Sequence, residues 1–306
     1  MEATRTPATT AAPTPPLTLR RRLGWPSPES NIPKRALYLL VLAGLSVLFV
    51  YPFIWTISAS LKPRPDVFDN RLLPQTWHPS NYTEVWDLAP ISTWFLNSVY
   101  IGVLAALTVT LSSSIVAFGF AYFRFPGRNA LFGLVLATMM LPAAVTMIPV
   151  YLIWNELNLV NTQYPLWVMN LFGSAFYIFL LRQFFLGIPR ELFEAARMDG
   201  DNFFTMFFRI ALPLAKPALV VAFIFELQAS WNDLMRPLIY LRDDELFTLP
   251  LGLKTILDSF GSGGGGEGDY QLIIAALVIS TIPMIVIFAL FQRYFLEGIA
   301  TAGRKG

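Results

Sequence analysis

Six long apolar runs, near residues 36–61, 95–123, 130–155, 164–185, 217–239 and 271–295, leave this chain few ways to fold. Each is close to the roughly 20 residues a helix needs to cross about 30 Å of hydrocarbon. In lipid every backbone N–H and C=O must find its partner within the spanning structure, so the runs predict a bundle of membrane helices. Composition agrees, with 55% of residues hydrophobic, 14% charged and mean hydropathy +0.54, whereas a soluble domain carries about a quarter charged residues. The predicted class is all-α and polytopic, with six transmembrane helices. Prolines lie inside several runs (Pro52, Pro142, Pro149, Pro283), which neighbouring helices can accommodate. Small residues such as Gly119, Ser112 to Ser114 and Gly173 suit close helix contacts.

Residues 1–33 are rich in Pro, Thr and Ala, with Arg20-Arg21-Arg22 in the middle and no apolar periodicity. They read as a disordered cytoplasmic tail, leaving 34–306 as the membrane domain. A cleaved signal would need an apolar core straight after the basic residues, and Leu23-Gly24-Trp25-Pro26 is not one. With the N-terminus cytoplasmic, all but Lys62, Arg64, Arg71, Arg236, Arg242 and Lys254 of the 22 Lys and Arg residues fall on the cytoplasmic side. The positive-inside rule then predicts that both termini are cytoplasmic. No cysteine is present, which excludes a disulfide framework and thiolate chemistry. His78, the one histidine, has no carboxylate or histidine at ligand spacing, so no metal site is expected.

One stretch departs from the apolar pattern. Residues 189–213, PRELFEAARMDGDNFFTMFFRIALP, are amphipathic and charged. Pro189 suits a first helical position, Glu191 lies where the helix dipole favours acids, and Gly200 can supply a left-handed cap, so a helix is predicted from Arg190 to Asp199. Leu192, Ala196 and Gly200 share one stripe of mainly small residues that would let another backbone approach, with Glu194 and Arg197 on another side. Asn202 can cap a second, aromatic helix carrying Phe203, Phe204, Met206, Phe207 and Phe208, expected at the bilayer surface. The simplest alternative is an ordinary surface helix between two spans.

Glu194-Ala195-Ala196, Gly200 four residues later, and then Ile210, Leu212 and Pro213 resemble the EAA loop of ABC importer permeases. Ser58-Ala59-Ser60-Leu61-Lys62, Asn81-Tyr82, Asn97-Ser98, Trp231-Asn232-Asp233 and the tail 298–306 are similar to the maltose-type carbohydrate permeases. The resemblance runs from about residue 36 to the end. It implies a coupling role for Glu194, Ala195, Ala196, Asp199, Gly200, Ile210, Leu212 and Pro213, on a cytoplasmic coupling helix between spans four and five. It also implies that a tail ending Arg304, Lys305, Gly306 touches an ATPase. The implied assembly is this chain, a second permease subunit, an ATPase subunit dimer that binds ATP and Mg, and an extracytoplasmic solute-binding protein. That assembly would carry a di- or oligosaccharide or a sugar-like solute across a bacterial-type inner membrane by alternating access.

The chain itself has no P-loop, so ATP hydrolysis would belong to another subunit and neither an enzymatic activity nor a cofactor is expected here. The Gly-rich run 261–268 lacks the Lys-Ser/Thr of a phosphate loop and reads as a flexible connector. Trp77, Tyr82 and Trp86, in the first outer loop, suit either an extracytoplasmic partner or the lipid interface, and no nucleic-acid partner is expected. Glu226, Ser230 and Asp233 recur at spacings of four and three and, with Trp231 and Asn232, form a candidate path for a polyhydroxylated solute. Structural pairing of Glu226, with the Trp231 to Asp233 segment as a helix end, is the alternative. A secondary transporter or channel using Glu226 and Asp233 as an ion relay is the competing function. Such carriers usually show paired broken helices in two repeats, and one interrupted loop is seen.

Overall fold

The computed structural model describes residues 32–261 and 268–302, and the regular structure among them is helical. Most of the Pro-rich tail, most of the Gly-rich run, and Arg304, Lys305 and Gly306 lie outside the described residues. The chain divides into two units, 1–55 and 56–306. The first holds most of helix α1 (Ile32–Ser60), whose apolar window has no buried residue.

In the second unit, α2 (Asn81–Leu88) leads to α3 (Ile91–Tyr122), the helix on which the unit is assembled. Along α3 the buried positions include Trp94, Ser98, Ile101, Ala105, Val109, Ser113, Ala117 and Ala121, a helical period that marks one continuous inward face. Small residues on that face let α6 (Ala175–Phe185) and α10 (Lys216–Trp231) pack against it. At Gly102 the fit is close: a Cβ there would lie 2.9 Å from Leu227 Cδ1, so that side chain would have to move aside.

The expected third span, 130–155, is broken into α4 (Arg128–Thr138) and α5 (Ala143–Glu156), which meet at 93°. Pro142 sits in the extended conformation ahead of α5, has no N–H to continue a helix and disfavours helix in the residue before it. The expected fourth span begins with two 3-10 turns, Tyr164–Leu166 and Val168–Phe172, before Gly173 at φ +80° admits α6. After α7 (Arg190–Met198), α8 (Phe203–Met206), a π-helical turn (Phe207–Ala211) and α9 (Leu212–Leu214), the chain bends by 78° into α10. The expected fifth span, 217–239, stops at Trp231; α11 (Met235–Tyr240) is a separate short helix. Two further helices complete the order, α12 (Leu249–Phe260) and α13 (Tyr270–Ala302). Among the described residues four helices are long and apolar enough to cross a membrane, or up to six if each bent pair is one span.

Two cores form on α3. The first surrounds its N-terminal half and includes Ile91, Trp94, Trp154, Leu166, Trp231, Phe247 and Leu249. Here side chains clamp distant backbone. Asn81 Nδ2 donates to Ser60 O (2.9 Å) and Lys62 O (3.0 Å), Asn97 Nδ2 donates to Glu245 O (2.8 Å) and Phe247 O (2.9 Å), and Ser98 Oγ accepts from Leu249 N (2.7 Å). Lys62 is wholly buried, pairs with Asp69 and donates to Arg71 O at 2.7 Å. The hydrogen bond from Lys62 holds the Asp69 carboxyl below its ordinary value of 3.8, so this ion pair persists above that pH and weakens only as pH falls below it. Of the sugar-permease-like residues, Lys62, Asn81, Asn97 and Ser98 are thus clips that shape one end of the unit.

The second core surrounds the C-terminal half of α3 and includes Phe118, Leu181, Phe185, Phe193, Ala196, Met206, Phe207 and Ala222. It fastens the amphipathic segment to the spans.

Candidate functional site

The helix of the amphipathic segment starts at Arg190 as expected, but Pro189 is extended ahead of α7 rather than its first helical residue and the helix ends at Met198; Glu191 lies in the first turn and Arg197 in the last, charges that complement the helix dipole. Its end is a Schellman cap: Gly200 N donates to Arg197 O (3.2 Å) and Asp201 N to Ala196 O (2.9 Å), with Gly200 at φ +88°. Which face is free differs from the expected stripe. Phe193 and Ala196 are buried, the former against Phe118 (5.9 Å between ring centroids) and Tyr122 (5.2 Å), whereas Leu192 is exposed. A large ring at Phe193 has far more apolar surface to remove from water than the small stripe does, so it selects the buried side and takes Ala196, one turn on, with it. Glu194, Ala195, Arg197, Asp199 and Gly200 remain exposed, and Met198 projects with 88% of its surface free.

Asn202 caps α8 as its side chain predicts, accepting from Thr205 N at 2.8 Å. The row of aromatics does not lie wholly at a surface. Met206 and Phe207 are buried and Phe204 and Phe208, four residues apart, are exposed, with the π-helical turn beginning at Phe207. Ile210 and Leu212 pack against the second core, while Pro213 is exposed.

Glu226 is buried and accepts from Asn170 Nδ2 at 2.7 Å, with the Tyr177 hydroxyl beside it. Asn170 also donates to Ala105 O (3.1 Å) and its carbonyl accepts from Ser112 Oγ (2.7 Å); Ser174 N donates to Ser113 Oγ (3.1 Å). These bonds satisfy the backbone freed where the helix is interrupted at Gly173, which membrane-depth backbone requires. Structural pairing is therefore what the geometry of Glu226 expresses. Ser230 is buried, and Trp231 is buried with Phe95 edge-on at 5.6 Å. Asp233 does not continue a stripe with Glu226 and Ser230: the helix has ended, and Asp233 pairs with Arg236, whose Nη1 donates to Leu166 O at 3.3 Å. Asp233 instead belongs to the start of the next helix, its Oδ1 accepting from Arg236 N at 3.2 Å just ahead of Pro237 in the first turn of α11. Asn232 alone of the five is exposed, one turn from exposed Gln228. Nothing in the sequence spacing marked Asn170 as the partner of Glu226, or Ser112 as the donor to the Asn170 backbone carbonyl.

A helical membrane domain with interrupted spans, a buried polar latch and a capped amphipathic helix rooted in its core defines a transporter's membrane subunit. The chain belongs to the family of binding-protein-dependent transport system inner membrane components, whose model matches residues 110–300. It is 36% identical over 285 residues to the arabinooligosaccharides transport system permease protein AraQ of Bacillus subtilis, covering 92% of this chain and 99% of that one. The diacetylchitobiose uptake system permease protein NgcG of Streptomyces coelicolor is 30% identical over 250 residues, covering 81% of this chain and 82% of that one. Among solved structures, a bacterial ABC transporter involved in the import of the acidic polysaccharide alginate matches with TM-score 0.75 and 27% identity, over 92% of this chain and 100% of that chain. The chain is a permease subunit of a binding-protein-dependent ABC importer and an inner-membrane component, in a family whose members are not themselves catalytic. The secondary-carrier alternative is set aside.

Proposed function

We propose that this permease passes a di- or oligosaccharide, or a sugar-like solute, by alternating access, and that α7 is where ATP hydrolysis is felt. The observation that carries the proposal is the division of α7: its root, Phe193 and Ala196, is set among residues of α3 and α6, while Glu194, Met198 and the Gly200 cap face outward. Force applied to the exposed tip reaches the spans through packed rings. The names of relatives that handle arabinooligosaccharides and diacetylchitobiose support the solute class. The bias of Lys and Arg supports a cytoplasmic position for α7 and both termini.

On this reading a dimer of ATPase subunits, holding ATP and Mg, docks on Glu194, Ala195, Asp199 and Gly200, with Ile210, Leu212 and Pro213 setting the angle at which the loop re-enters the membrane. Arg304, Lys305 and Gly306 reach the same ATPase. A second permease completes the pathway, Asn232 and Gln228 offer it amide groups, and an extracytoplasmic binding protein delivers the solute. The test is reconstitution of the four kinds of subunit in proteoliposomes, with uptake of labelled arabino-, malto- and chito-oligosaccharides measured against ATP and against a proton gradient alone. ATP-dependent uptake is expected, and Glu194→Lys, on an exposed position, is expected to lower it about tenfold with the melting temperature unchanged. Uptake driven by a pH gradient without the ATPase, or full activity in Glu194→Lys, would overturn the reading.

A further inference from the structure

On the clamp end of the unit, remote from α7, lies a cavity of about 260 Å³. Tyr100 of α3 and Tyr164 and Trp167 of the interrupted fourth span give it three rings, and Asn161, Thr162 and Gln163 give it amide and hydroxyl groups. We propose that this cavity is a contact site for one neutral sugar ring of the solute, a proposal that rests on the importer reading above.

Four features lead there. The lining mixes flat apolar faces with polar groups, as a ring with carbon–hydrogen faces and hydroxyl edges requires. No carboxylate, ammonium or guanidinium lines it, so it offers an acidic sugar no counter-charge. Part of its hydrogen-bonding capacity is unspent: among the described residues the Tyr100 and Tyr164 hydroxyls make no hydrogen bond, and both residues are about half exposed, at 50% and 49%. And its wall is built in advance. Asn161 stands at φ +62°, its side-chain oxygen accepts from Arg242 N (2.9 Å) and Asp243 N (3.1 Å), its amide donates to Asp243 Oδ2 (2.7 Å), and Gln163 Nε2 donates to Leu246 O (3.2 Å). A pre-ordered wall avoids the entropy loss of ordering on binding. The volume falls just below the roughly 300–1,000 Å³ of sites that enclose a small molecule, which fits one ring of a chain that continues past the opening.

The decisive measurement is saturation-transfer NMR on the full complex in lipid nanodiscs, without the solute-binding protein. The probes are arabinotriose, maltotriose, diacetylchitobiose and an alginate trisaccharide. At least one neutral probe should show transfer and the alginate probe none. Tyr164→Ala, at an exposed position, should reduce the neutral signal about tenfold, and Tyr100→Phe, which keeps the ring and removes the hydroxyl, by a smaller factor. No transfer to any neutral probe, equal binding of the alginate probe, or unaltered binding in Tyr164→Ala would each overturn the proposal. ATP-driven uptake measured in parallel separates the two readings. Uptake with wild-type values in Tyr164→Ala removes the cavity and leaves the importer, whereas neutral-sugar binding without ATP-driven uptake removes the sugar importer and leaves the cavity.

Discussion

The two cores on α3 are held by different physics. Around its N-terminal half, amides and hydroxyls of Asn81, Asn97, Ser98 and Asn161 bind particular backbone atoms, several of them some 150 residues away in sequence. Around its C-terminal half, Phe118, Tyr122, Phe123, Phe193, Phe203 and Phe207 meet ring against ring at 4.8–6.2 Å. A hydrogen bond loses most of its strength when tilted or stretched, so the clamp end admits one geometry. Ring packing is broad in angle and roughly proportional to area, so the loop end can shift as a body without losing its attachment. The lesson is a division of labour: fixed shape at one end of the helix and compliant anchorage at the other, joined by a single continuous α3.

That contrast breaks first at Phe193. Truncation to Ala should open a cavity among the rings and cost about 3–5 kcal/mol, read as a lower melting temperature of the purified complex. Phe193→Leu should recover most of the loss, because apolar volume rather than direction is what the site needs. If Phe193→Ala melts with the wild type, the rings do not hold α7.

At the clamp end the rescue pattern should invert. Asn97→Ala strands the Glu245 and Phe247 carbonyls and should cost about 1–3 kcal/mol. Asn97→Asp keeps the shape but cannot donate, and should do no better. Gly252→Ala belongs to the same set: its Cβ would stand 2.0 Å from a ring atom of buried Trp94, an overpacking of about 1–3 kcal/mol. Hydrogen exchange of the amides from 244 to 252 should rise in all three variants, and wild-type protection in Asn97→Asp would mean that the clamp is shape alone.

What could be read from the sequence divides along the same line. The run predicted at 95–123 is α3 within a few residues, since twenty-odd apolar residues between polar turns have one solution in lipid. The Gly200 cap and the Asn202 cap were legible because each is settled by neighbours two or three residues off. The interruptions in the third and fourth spans were not, since hydropathy is blind to a bend: the apolar count is the same whether Pro142 kinks a helix or ends it. The clamps were visible as Asn81, Asn97 and Ser98 but not as clamps, because their partners are backbone atoms that carry no residue identity. Ala196 was assigned outward because a stripe drawn on a helix shows its faces and not which one is covered; the weight of Phe193 decided that.

The smallest expected effect is the sharpest test of where compliance ends and contact with another chain begins. Gly200 stands at φ +88° with nothing within 4 Å of a Cβ built there, so inside this chain the glycine serves its backbone angle and no close approach. Gly200→Ala should therefore cost only about 1–2 kcal/mol, the ordinary penalty of that conformation, and Gly200→Asn less, since Asn enters the left-handed region more readily. Melting temperatures of the two variants measure that intramolecular share alone. Solute-stimulated ATP hydrolysis then measures the remainder: a side chain in a space that this chain leaves empty can obstruct only a neighbour. Gly200→Asn is expected to melt close to the wild type and to lose at least about fivefold in stimulated hydrolysis. If it instead stimulates normally, the glycine is a cap and nothing more, and the docking surface must be sought a turn earlier, at Glu194 and the exposed Met198.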